Sequence, residues 1–121
     1  MRTTDEPTTA LFRALMHPTR LAILDLLRHG EQCVCHLEAH LGKRQAYISQ
    51  QLMVLREVGL VDDQRDGLNV YYRVINPQVF ALIDTARSML GVAVDTDQAE
   101  GLQGNCPCPR CSPVTEIVLV S

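Results

Sequence analysis

No stretch of this 121-residue chain comes near the ~20 consecutive apolar residues that a membrane-spanning helix needs. The polar opening MRTTDEPTTA contains no signal-peptide core. These two absences point to a cytoplasmic chain with no membrane partner, in a compartment where thiols stay reduced. An even cysteine count is also missing: there are five, which argues against a closed disulfide framework. There is no catalytic triad, phosphate-binding loop or paired-carboxylate site, so nothing points to an enzyme. Net positive charge is lacking too, the formal sum being −3. That sum is a weak objection to a nucleic-acid partner. Acids and bases balance through Leu90, and the excess comes from Asp95, Asp97, Glu100 and Glu116 set against Arg110 alone. Any basic surface is therefore local.

What is present is a succession of short helical patterns with clear punctuation. Residues 1–7 read as disordered. From Thr8 or Thr9 a helix carries Leu11, Phe12, Leu15 and Met16 at helical spacing. His17-Pro18 breaks it, and Pro18 suits the first position of a second helix with Leu21, Ile23, Leu24 and Leu27 as its apolar face. Gly30 ends that helix. A third, shorter helix starts around Cys33–Cys35, turns Val34, Leu37 and Leu41 inward, and closes at Gly42. A fourth spans about Arg44 to Val58, with Ile48, Leu52 and Leu55 inward and Gly59 as its stop. Two helices joined by a tight glycine turn, the second with exposed polar residues, form a helix-turn-helix pattern. The next segment has Val70, Tyr72 and Val74 alternating with Tyr71 and Arg73, and the turn signal Asp66-Gly67, which together predict a hairpin. A hairpin directly after a helix-turn-helix is a wing. Pro77 opens a last helix, largely apolar, with Phe80, Leu82, Ile83, Ala86, Met89 and Leu90.

The expected fold class is therefore mainly α with a small β-hairpin, a winged helix-turn-helix over residues 8–90. Residues 91–121 read as a flexible, Cys-rich tail. It contains NCPCPRCSP, whose prolines forbid a helix, and ends in a β-prone run.

The stretches HPTRLAILDLL, EQCVCHLEAHLG, RQAYISQQLMVLREVGLV and DGLNVYYRV resemble the ArsR/SmtB family of metal-responsive winged-helix repressors, over roughly Leu11 to Leu90. The resemblance implies a homodimer packed through the first and last helices, and double-stranded operator DNA as the partner. It implies that Gln45, Ala46, Tyr47, Ser49 and Gln50 contact DNA at the major-groove end of the fourth helix. Their chemistry agrees: Gln pairs with adenine, Ser bonds base or phosphate, and Arg44 binds phosphate or guanine. Arg65, Asn69 and Arg73 on the hairpin are placed to reach the DNA backbone or minor groove. The sequence departs from the family pattern where Arg44 replaces a common Ser and where Gln50 or Gln51 replaces a His, so the family's base preference does not carry over.

Cys33 and Cys35 raise a geometric question. Residues two apart point about 200° apart around a helix, so the pair cannot face one ligand from inside a regular helix. At a helix start the chain can still bend to bring both sulfurs together, and a helix N-terminus favours the thiolate. Thiolates bind As(III), Sb(III), Cd(II), Pb(II), Zn(II) and Cu(I) strongly. Family members with this CVC element look like sensors of such thiophilic ions, which implies an ion as inducer and no organic cofactor. In the arsenic-type motif a third Cys stands where this chain has Glu38. The missing donors are therefore sought in Cys106, Cys108 and Cys111, either from the same subunit or from the other one. Three sulfurs would suit As(III) or Pb(II), and four would suit Cd(II) or Zn(II).

Other readings of the same residues remain open. One of the two helix thiols could be a small buried hydrophobe, and the tail could be a separate metal clip. His17, His29 and His40 read as capping or surface groups, whereas His36 could serve the ion. No zinc site is expected between the last helices, because Asp84 is followed by Thr85 and Ala86 and no His lies beyond His40. The leading function is a repressor that releases its operator on binding a thiophilic ion. The alternative is a dithiol redox or persulfide sensor that links a helix Cys to a tail Cys. A thiol–disulfide oxidoreductase built on Cys108-Pro-Arg-Cys111 is disfavoured, since that spacing here lies in a proline-broken tail rather than at a helix start.

Overall fold

The computed structural model describes residues 6–92. Its elements run α1 (Glu6–Leu15), α2 (Pro18–Leu27), β1 (Gln32–Cys33), α3 (Val34–Leu41), α4 (Gln45–Glu57), β2 (Val61–Asp66), β3 (Asn69–Val74) and α5 (Gln78–Leu90). The tail cysteines Cys106, Cys108 and Cys111, and residues 1–5, lie outside the described residues.

Local chemistry explains most of the boundaries. α1 begins at Glu6, earlier than the sequence spacing suggests, so Glu6 and Pro7 are helical and not part of a disordered end. An acidic residue in the first turn complements the helix dipole. Pro7 is tolerated there because its missing N–H would have no intrahelical acceptor. α2 is capped by His17, whose backbone is extended (φ −161°, ψ 122°) and whose side chain accepts from the Thr19 N–H. Gly42 stops α3 in the left-handed conformation (φ 66°), which glycine adopts without a Cβ penalty. That stop leaves only a short link before α4.

One face of each central helix supplies the core. Ile23, Leu24 and Leu27 of α2, Leu37 of α3, Ile48, Leu52 and Leu55 of α4, and Val79 and Ile83 of α5 pack together with Leu60 and Val61. α2 and α5 are also tied by charge. The Arg28 guanidinium lies over the Phe80 ring at 4.6 Å and donates to both oxygens of Asp84.

The sheet is larger than a hairpin. It is three-stranded and antiparallel, in the order β1-β3-β2. Asp66 faces Asn69 across a two-residue turn, and Gly67 takes φ 68° at its first position, the conformation that suits a tight hairpin. β1 pairs Gln32 with Tyr72 and Cys33 with Tyr71. This added strand covers a side of β3 that a lone hairpin would leave wet. The alternation read from the sequence therefore does not divide into one buried and one wet face. Tyr71 is only 2% exposed and packs with Cys33, while Tyr72 and Val74 lie against the main core.

Candidate nucleic-acid interface and thiol pair

α4 is amphipathic across its first two turns. Ile48 and Gln51 point inward, whereas Arg44, Gln45, Ala46 and Gln50 are exposed and Tyr47 and Ser49 are half-buried. Arg44 is the N-cap residue and makes no side-chain cap hydrogen bond, so its guanidinium is not committed to the helix end. On the wing, Arg65 is exposed and Asn69 half-buried. Gln45, Ser49 and Asn69 are brought together, lining one cleft of about 220 Å³ between α4, the start of α3 and the wing. Arg73 is not part of this group. It pairs with Asp62 near the hairpin base, roughly 13 Å along the strand from Asn69 at ~3.3 Å per residue.

Two residues that hold α4 in place, Arg20 and His17, do not stand out as site residues in the sequence pattern. The Arg20 Nε donates to Gln51 Oε1 at 2.8 Å, and the same guanidinium donates to the Ala14 carbonyl at the end of α1 at 3.1 Å. His17 Nε2 lies 3.3 Å from the Tyr47 hydroxyl. His17 could be read as a cap, but its partner stands thirty positions away, and periodicity does not report such pairings. Leu68 is the other omission, an apolar side chain 98% exposed in the wing turn.

The thiol pair occupies a helix start, where two sulfurs can converge. Cys33 is the N-cap of α3, with extended backbone (φ −83°, ψ 158°). It therefore stands outside the helical geometry that would turn the two side chains apart. The Cα atoms of Cys33 and Cys35 are 5.3 Å apart and the sulfurs are joined in a disulfide. This departs from the expectation of free thiols, and from that of a helix–tail disulfide. Cys33 Sγ also accepts from the His36 N–H at 3.2 Å. Cys33 is 1% exposed and Cys35 is half-buried.

Both cysteines line the same cleft as Gln45, Ser49 and Asn69, with Glu38 beside them. His36 is buried; desolvation, reinforced by nearby His40, lowers its pKa below the usual imidazole value. Among the described residues no three His, Cys, Asp or Glu side chains gather into a group that could hold a metal ion. The reduced pair would offer two soft donors of the right chemistry, short of the three or four that thiolate sites use. Between α2 and α5, Asp84 is taken up by Arg28.

Among the described residues no helix is long and apolar enough to cross a membrane. Residues 17–63 match the family model described as "Bacterial regulatory protein, arsR family". The chain is 43% identical over 74 residues to a biofilm growth-associated repressor of Agrobacterium fabrum, covering 61% of this chain and 63% of that protein. It is 38% identical over 80 residues to an uncharacterized HTH-type transcriptional regulator of Mycobacterium tuberculosis, covering 65% and 70%. It is 40% identical over 89 residues to an arsenic resistance transcriptional regulator of Pseudomonas putida, covering 73% and 66%. Among solved structures, a homodimeric winged helix-turn-helix DNA-binding domain of Mycobacterium bovis superposes with a TM-score of 0.65 at 26% identity, covering 78% of this chain and 96% of that one.

Proposed function

Because this chain belongs to the arsR family of bacterial regulatory proteins, whose members are transcriptional regulators and not enzymes, we propose that it is a DNA-binding repressor switched by its helix-start thiols. It binds double-stranded operator DNA as a homodimer and leaves it when a thiophilic ion engages Cys33 and Cys35. The observation that carries this reading is the shared cleft: the sulfur pair lines one cavity with Gln45 and Ser49 of the reading helix and Asn69 of the wing.

The reading helix enters the major groove through Arg44, Gln45, Ala46, Tyr47, Ser49 and Gln50, with Arg65 and Asn69 following the backbone at the wing. Arg73 serves as a more distant backbone contact. Phe12, Met16, Ala86 and Leu90 line an apolar groove of about 400 Å³ between α1 and α5, and this is the dimer face. The homodimeric relative supports a dimer.

When bound, the ion supplies soft Lewis acidity that draws thiolate sulfurs together. Cys33 and Cys35 hold it from the α3 N-terminus, where the helix dipole favours negative sulfur. One or two of Cys106, Cys108 and Cys111 would supply the remaining donors, three sulfurs suiting As(III), Sb(III) or Pb(II) and four suiting Cd(II) or Zn(II). The arsenic-resistance relative supports an ion of this class. Since α3 packs directly on α4, displacing the first turn of α3 moves the reading helix and the walls of the cleft.

The test is fluorescence anisotropy on a duplex that the chain itself selects from a randomised library. Each ion is added in turn to the reduced chain, to Cys33→Ser, to Cys35→Ser and to a chain stopped before Cys106. Release that needs both helix thiols and persists in strong reductant supports the reading. Release by the double Cys33→Ser/Cys35→Ser chain would refute it.

A second reading rests on a different observation, the joined sulfurs of Cys33 and Cys35. Hydrogen peroxide would take two electrons and two protons from the dithiol, leaving one disulfide and two waters. Release that occurs only on oxidation, and that reductant reverses, would select this redox reading over the ion.

A further inference from the structure

We propose that His17 is a positioning residue for operator binding: it fixes the Tyr47 hydroxyl so that its proton is free to be donated to a DNA phosphate. This rests on the reading of α4 as the helix that enters DNA.

The argument is one of proton placement. The Thr19 N–H lies 3.2 Å from His17 Nδ1. A backbone N–H can only donate, so Nδ1 is the acceptor nitrogen and a neutral imidazole carries its proton on Nε2. Nε2 faces the Tyr47 oxygen at 3.3 Å, and Nε2–H is therefore the donor in that contact. The Tyr47 oxygen accepts, and its own proton remains available. A phosphate oxygen has only lone pairs to offer, so it needs such a donor. Were the imidazole in the other tautomer, Tyr47 would spend its proton on His17 and present lone pairs to the phosphate.

Two independent features make this arrangement rigid. His17 is locked as the cap of α2 by the extended backbone that places Nδ1 over Thr19. One turn further along the same face of α4, Gln51 is held by Arg20 at 2.8 Å. Tyr47 and Gln51 stand at i and i+4, so α4 is pinned at two successive turns by the first turn of α2. The Lys43 ammonium, 5.9 Å from the Tyr47 ring centroid, adds positive charge over the same ring.

The experiment compares Tyr47→Phe, His17→Asn and the double variant on the duplex enriched by the wild-type chain. Asn retains the cap, because its side-chain oxygen accepts the Thr19 N–H, but it is too short to reach Tyr47. His17→Asn should therefore melt close to wild type. Each single variant should bind the duplex about three- to tenfold more weakly, the range of one lost hydrogen bond. The double variant should bind no worse than the weaker single one. The losses should be similar at low and high salt, since no charge is removed. If Tyr47→Phe weakens binding while His17→Asn does not, the positioning role is overturned and the DNA reading stands. If Tyr47→Phe binds as wild type, the hydroxyl makes no contact and the proposal fails. If the wild-type chain enriches no duplex, the underlying reading fails and takes this one with it. Should His17→Asn melt early, binding measured well below both melting points still decides, because fully additive losses refute the coupling.

Discussion

Asp25 of α2 accepts from two arginines at once, Arg87 of α5 at 2.7 Å and Arg28, the C-cap of α2, at 3.0 Å. Arg28 in turn donates to both oxygens of Asp84 on α5, each at 2.9 Å. The four residues form a chain of charge-assisted hydrogen bonds that seats the last helix on the body of the domain. Removing Asp25 takes from the partly buried Arg87 guanidinium both of its hydrogen bonds, while Arg28 keeps its two to Asp84. Asp25→Ala is expected to lower stability by about 1–3 kcal/mol, seen as a fall in urea midpoint at unchanged slope. An unchanged midpoint would show that the network contributes nothing.

The same network gives a pH dependence with a definite sign. The hydrogen bond from Arg28, helped by its charge and by that of Arg87, holds the Asp84 pKa below the usual carboxylate value. A depressed folded-state pKa contributes stability above the unfolded value near 4, and that contribution is lost as pH falls through the folded value. Asp84 is 43% exposed, so solvent screening keeps its share under about 1 kcal/mol. Asp84→Asn should therefore shift the midpoint at pH 7 slightly and leave it almost unchanged well below pH 4. An equal shift at both pH values would rule out an ionic origin.

Cys33 and Cys35 should differ structurally under reducing conditions. Cys33 is buried against Tyr71 and its sulfur caps α3. Cys33→Ala is expected to cost about 1–2 kcal/mol through the lost cap and the small void. Cys33→Ser supplies a capping oxygen and should cost less, and Cys35→Ser should be nearly neutral. Thermal melts in reductant check the order, and Cys33→Ala melting level with Cys35→Ser would contradict it.

The apolar groove between α1 and α5 predicts an oligomeric state. Leu90 is 76% exposed and Phe12 is 54% exposed within one subunit, so a charge at either position leaves the folded subunit intact. Leu90→Glu and Phe12→Glu should each move the chain from dimer to monomer in sedimentation equilibrium, with unchanged helical circular dichroism. A dimer that persists in both would place the interface elsewhere.

On the operator, Arg44→Ala should reduce the salt slope of binding by about one unit if its guanidinium neutralises a phosphate. Gln45→Ala should leave the slope alone and relax preference at one base position, costing about 1–3 kcal/mol on the selected site. Titration at several salt concentrations separates the two roles.

Much of this chain was legible because its signals are local. Pro18, Gly42 and Gly59 punctuate helices through their own backbone constraints, and the inward spacing of Ile48, Leu52 and Leu55 needs only the helical period. The start of α1 reads late in the sequence because Glu6 and Pro7 look like tail residues until the helix dipole and first-turn chemistry are considered. β1 was missed for a different reason. Gln32 and Cys33 become a strand only because β3 offers an edge, and that pairing joins residues about forty positions apart in sequence.

The amino-acid order alone determined the winged helix-turn-helix, the polar face of α4 and the placing of two thiols at a helix start. These follow from side-chain periodicity and from residues that restrict their own φ and ψ. Tertiary structure decided that the sulfurs meet, that they share a cleft with Gln45, Ser49 and Asn69, and that His17 and Arg20 hold α4 from a neighbouring helix. Such relationships depend on how separate elements pack, and packing is set by the summed contacts of the whole core, which no local pattern contains.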